Sequence, residues 1–145
     1  MAKLPSQQEI TLVLAAATSS YAQNEKYGAK LDGNNEVPPI NSTAEGVINF
    51  KTKIDMLTWK MNVTGTNDLT AIDIHKGKAG ENGEIVVDLM KVSKHSDTPK
   101  GMTMRGNITE SSLKGSMAGK TIADLKTAIA NGDTYVNLKT QDHPD

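Results

Sequence analysis

The sequence predicts a mostly antiparallel β-sandwich with one short helix, built as a single domain. Two patterns lead there. From Tyr27 onward, apolar and polar residues alternate in short runs separated by Gly, Asn and Pro clusters, the signature of half-buried strands and their turns. One stretch, about 121–131, changes to a helical period, with Ile122, Leu125 and Ile129 forming a single stripe. A chain of 145 residues is long enough for one domain with a real core and short for two.

Residues 1–22 differ from the rest. An apolar run from Ile10 to Ala17 leads to Ser20-Tyr21-Ala22, with small side chains at the two positions a signal peptidase inspects. The layout reads as a secretory signal or, alternatively, as an N-terminal arm, and leaves 23–145 as the folded domain. The run falls short of the ~20 apolar residues of a membrane span, so no span is expected. The sequons at Asn41, Asn62 and Asn107 are compatible with export.

Along the domain, Tyr27, Ala29 and Leu31 alternate with Gly28 and Lys30 as a first strand. The following stretch, 32–46, is rich in turn formers, and Pro38-Pro39 cannot both sit in a central strand, since neither donates a ladder hydrogen bond. Ile48, Phe50 and Ile54 mark a second strand. In the third, Leu57, Trp59, Met61 and Val63 share one face, which makes Trp59 a core anchor. Ile72 and Ile74 then face one way, with Ala71, Asp73 and His75 opposite them. A Gly-rich turn leads to another apolar run at 84–89. Residues 91–101, including His95, read as a solvated loop. Met102 and Met104 alternate in a strand at 102–109, where core packing is favoured over a copper-binding methionine cluster. Thr121 followed by Asp124 is a variant capping box, and Asn131-Gly132 stops the helix. Val136 and Leu138 point inward from a closing strand.

Composition removes several functions. Sixteen basic and seventeen acidic residues leave a net charge of −1, with no overall excess of the kind nonspecific nucleic-acid binding needs, so no nucleic-acid partner is expected. The absence of cysteine excludes disulfides, thiolate metal sites and cysteine nucleophiles. Only three histidines, His75, His95 and His143, are available for metal or acid–base chemistry. No nucleophile elbow, P-loop, dinucleotide fingerprint or zinc-protease motif occurs. The expectation is a noncatalytic protein.

Three segments together resemble the CHRD domain, a module named after chordin and widespread in secreted microbial proteins: 27–50, 69–89 and 121–145. The likeness is carried by the Glu36-Val37-Pro38-Pro39 box, by His75-x-Gly77 with its turn from Gly80 to Gly83, and by Tyr135-Val136-Asn137. It implies an immunoglobulin-like sandwich, with a suggested distant likeness to copper/zinc superoxide dismutases, and no established activity. Where the family has Ala-His-Ile-His, this chain has Asp73 in place of the first histidine, and where it has Val-Asn-Val-His-Thr, Lys139 replaces the histidine. If the two positions are neighbours, Asp73 and Lys139 form an ion pair beside His75. The family also continues past His-Pro into a final strand, so the domain is expected to lack its usual last strand.

The spacing of Asp73 and His75 still suits a divalent metal, since side chains at i and i+2 of a strand share a face with Cα atoms ~6.5–7 Å apart. His143 is the third candidate ligand, and copper or zinc the candidate ion. The oxygen-rich run Asp32–Glu36 makes calcium a further alternative. Three readings follow: a noncatalytic secreted or cell-surface structural or binding module of the cell envelope, facing an extracellular protein, a matrix or itself, with no cofactor; a metal-binding protein around His75; and a self-assembling filament subunit that donates residues 10–17 as a strand to a neighbouring copy.

Overall fold

The computed structural model describes residues 13–14, 26–32, 43–66, 68–78, 81, 83–99 and 101–141. The strands, in chain order, are β1 (Val13–Leu14), β2 (Lys26–Leu31), β3 (Glu45–Thr52), β4 (Leu57–Thr64), β5 (Leu69–Lys76), β6 (Glu84–Asp88), β7 (Ser93–Thr98), β8 (Gly101–Ile108) and β9 (Thr134–Thr140). A single helix, α1 (Ile122–Ala130), precedes β9, and two 3-10 turns, Glu110–Ser112 and Gly115–Met117, follow β8.

The strands form two antiparallel sheets, as the alternating sequence predicts. The larger runs β2-β3-β4-β8-β7, and the two-residue β1 adds to its outer edge beside β2. The smaller runs β6-β5-β9. Alternation is strict in β3 and β4, which pair along their full length with Phe50 opposite Trp59 and Ile48 opposite Met61. Their apolar sides, with Met104 and Ile108 of β8, pack in one buried cluster with Ile72 and Ile74 of β5 and Val136 and Leu138 of β9. Met104 is fully buried and Met102 packs against the cluster, so both methionines serve the core.

Helix α1 starts where the capping pair predicts. The Thr121 Oγ1 accepts from the Asp124 N–H at 3.1 Å, and the Asp124 carboxylate accepts from the Thr121 N–H at 2.9 Å. Ile122, Leu125 and Ile129 are buried in the same cluster. The chain leaves the helix through Gly132, whose φ of 72° only glycine adopts at little cost.

Two expectations are corrected. His95 lies in strand β7, not in a loop. As the rim of the large sheet β7 pairs, among the described residues, only with β8, so its polar side chains meet solvent, which hides the strand from hydropathy and suits an exposed edge. Ile54 lies outside the strand, which ends at Thr52, and stands 83% exposed in the turn between β3 and β4. Within the apolar run at 10–17, Val13 and Leu14 pair with Gly28 and Tyr27 of the same chain.

Candidate functional site

The small sheet brings the predicted polar residues together. Across β5 and β9, Ala71 stands opposite Lys139, Asp73 opposite Asn137 and His75 opposite Tyr135. Directly opposed residues of an antiparallel pair share a face, so these six form one surface, backed by Ile72, Ile74, Val136 and Leu138 on the core side. On the other flank Asp88 of β6 stands opposite Asp73.

This surface is closed, which alternation alone does not show. Asp73 is 6% exposed, His75 4% and Asn137 0%. The imidazole stacks on the Tyr135 ring, with centroids 4.9 Å apart and planes 13° from parallel. The His75 Nδ1 donates to the Gly83 carbonyl at 2.9 Å, and the Gly83 N–H donates to the Tyr135 hydroxyl at 2.9 Å. Gly83 thus ties both rings to the β5–β6 connection. A Cβ at this glycine would lie 1.8 Å from the Lys76 carbonyl oxygen, so no other residue fits.

Electrostatics follow from the enclosure. Burial pushes the Asp73 carboxyl above the usual carboxylate range, and the like charge of Asp88 pushes it further, against the opposing pull of His75, Lys114 and Lys139. Burial also lowers the His75 pKa, against its bond to Gly83 and the charge of Asp73. A neutral imidazole with its proton on Nδ1 leaves a lone pair on Nε2, and this buried atom has no hydrogen-bond partner among the described residues. The same holds for both amide atoms of Asn137. Burial raises the Tyr135 hydroxyl pKa as well.

Asp73 and Lys139 share the face, as expected, but not an ion pair. Among the described residues the ion pairs are Lys30–Asp32 at 3.2 Å, Lys91–Asp88 at 3.7 Å and Lys114–Asp88 at 4.0 Å. Register explains the difference: Lys139 stands opposite Ala71, and Asn137 holds the place across from the acid. Lys139 still acts on Asp73 through its charge. Gly77 and Gly83 lie at the β5–β6 connection, whereas Glu36, Val37, Pro38, Pro39, Gly80 and His143 lie outside the described residues. Asn137, named above only within the Tyr135-Val136-Asn137 motif, and Lys114 belong to the cluster although the sequence singled out neither as a site residue. Asn137 shares its parity with Tyr135 and Lys139, a legible signal, while Lys114 arrives through the bridge between Val87 and Leu113.

The CHRD domain model matches residues 27–145. The chain belongs to the CHRD domain family. That membership supports a noncatalytic binding or structural module in general, with the extracytoplasmic setting in which CHRD domains occur. No curated protein and no solved structure matches. Within this CHRD domain, no group of three or more His, Asp or Glu side chains among the described residues is placed to hold a metal. No helix among them is long and apolar enough to cross a membrane.

Proposed function

We propose that this CHRD domain is a noncatalytic binding module, secreted or held at the cell surface, and that the Asp73–His75 cluster is part of its scaffold. The observation that carries the reading is enclosure: the two side chains suited to acid–base chemistry are 6% and 4% exposed, so a substrate has no path to them. Their shifted pKa values then report burial, since structural networks perturb ionisation as well as active sites do. The test is retention of matrix material from the producing cells by immobilised protein, with the retained material analysed chemically before and after contact. Unmodified protein and the D73N and H75Q variants should retain the same material unaltered. A chemical change in the partner that needs Asp73 or His75 would overturn the reading.

A second reading, metal binding around His75, is favoured by one specific feature. The bond from Nδ1–H to a backbone carbonyl is the arrangement that orients a metal-ligating histidine, and it leaves the Nε2 lone pair without a partner among the described residues. Asp73 and the Asn137 amide oxygen are the donors nearest in register. Against it stand Lys114 and Lys139, whose charges bear on both Asp73 and His75. Titration with zinc and with copper decides: one equivalent bound and lost in H75Q supports the metal site, and no uptake ends it.

A further inference from the structure

Each of the five full strands of the large sheet carries one cation at the same concave stretch of the outer face. These are Lys26 on β2, Lys51 on β3, Lys60 on β4, Arg105 on β8 and Lys94 on β7, lining one concavity of about 870 Å³. Register sets them side by side: Lys26 is opposite Lys51, and Arg105 lies between Lys60 and Lys94. All five are exposed. Among the described residues none takes part in an ion pair, the paired carboxylates being Asp32 and Asp88, and no acid lines the concavity.

Like charges directly opposite one another weaken a sheet, by roughly 0.2–1 kcal/mol per pair, so sheet stability does not account for this stripe. Nor does overall composition, since the chain as a whole carries a net charge of −1. From this charge complementarity we propose that the outer face of the large sheet docks a linear acidic polysaccharide laid across the strands. The proposal rests on the binding-module reading and names the partner's chemistry.

Five strands at ~4.8 Å spacing span about 19 Å, and the cations cross them in two rows offset by two residues, since Lys51 stands opposite Thr58 and Lys60 opposite Asn49. A polyuronate carries one carboxylate per sugar ring and can meet successive strands with successive charges. Between the cations lie Asn49, Thr58 and Asn107, neutral donors and acceptors suited to sugar hydroxyls. Single-stranded nucleic acid is disfavoured because it requires aromatic platforms on which bases stack. The two aromatic residues of this wall, Phe50 and Trp59, are 2% and 3% exposed and face the core.

The test uses the full chain and oligogalacturonate as the probe, followed by titration calorimetry, with dextran, single-stranded DNA and phosphatidylserine vesicles as comparisons. Oligogalacturonate should bind, dextran should not, and affinity should fall steeply as salt rises. The triple variant K60Q/R105Q/K94Q should lose at least tenfold in affinity with an unchanged circular dichroism spectrum, while K53Q/K120Q, at exposed lysines elsewhere, should stay within twofold. Equal binding by the triple variant overturns the proposal, as does tighter binding to DNA or to vesicles. Matrix retention that persists unchanged in the triple variant also overturns it and leaves the binding-module reading standing; that reading fails separately, on a chemically altered partner.

Discussion

Asn137 offers the sharpest check on the physical account of the small sheet. It is wholly buried, and neither its amide nitrogen nor its amide oxygen has a partner among the described residues. In the unfolded chain both atoms are hydrated, so folding strips them of water without replacement, at a cost of roughly 1–3 kcal/mol. Valine has a similar size, suits a strand and has no polar atom to desolvate. Asn137→Val should therefore stabilise the domain by about 1–3 kcal/mol, against a loss of about 2–5 kcal/mol for Leu138→Ala next to it, where a cavity opens in the core. At this chain length each kcal/mol moves the midpoint by roughly 3–5 °C, so the valine variant should melt about 3–15 °C higher. The assay is thermal and urea unfolding at neutral pH in the presence of a chelator. A loss of more than about 1 kcal/mol would refute the reasoning, since it would mean that the amide has a bound partner whose removal is costly.

Other outcomes follow from the same geometry. Gly83→Ala should cost about 2–4 kcal/mol in urea unfolding, because its Cβ would overlap the Lys76 carbonyl and its backbone could no longer hold both the imidazole and the phenol. The lowered His75 pKa means that the unfolded chain binds its proton first as pH falls, so this residue's share of stability is fully present above the unfolded value of ~6.5 and is lost as pH drops to the folded value; His75→Gln should flatten that limb of a stability–pH curve. Asp73 acts in the opposite sense, since its raised pKa lowers stability as pH rises from ~3.9 to the folded value, and Asp73→Asn should remove that decline. The backbone and side-chain bonds from Thr121 hold the Asp124 pKa down, so its contribution is present above ~3.9 and lost on acidification through the folded value; Asp124→Asn should shrink this acid-dependent part in the same titration.

Much of this architecture was legible because its cause is local. Strand β4 announces itself in four apolar residues at period two, and helix α1 in two residues that cap each other. The elements that escaped are those whose cause is distant. Strand β7 is polar because it is a rim, and only the sheet order shows that. Ile54 is apolar yet exposed, because a tight turn fixes its direction and not its hydropathy. At the candidate site, the shared face of Asp73 and His75 could be read from parity, but the identity of the residue across from Asp73 depends on a register that no single strand encodes. The cation stripe is the extreme case. Its members are scattered between positions 26 and 105, they cancel against acids in any overall count, and only the pairing of five strands draws them together.

The position of β9 also sets a timetable. Strand β5 is the middle member of its sheet; one neighbour, β6, follows it closely, but the other is β9, the last described strand. The bond that ties Gly83 to Tyr135 closes across 52 residues, and β4 likewise waits for β8, as the bond from Thr103 to Asn62 across 41 residues shows. Contacts so far apart in sequence must overcome loop-closure entropy before they return anything, which places folding in the ms–s range of sandwich proteins. During synthesis, the stretch from β2 to β4 can zip up as it emerges, whereas His75 stays open to water until residues 134–140 arrive. Loop-closure cost therefore predicts late enclosure of the polar cluster: recovery of His75 protection from solvent should lag behind formation of the β2–β4 meander.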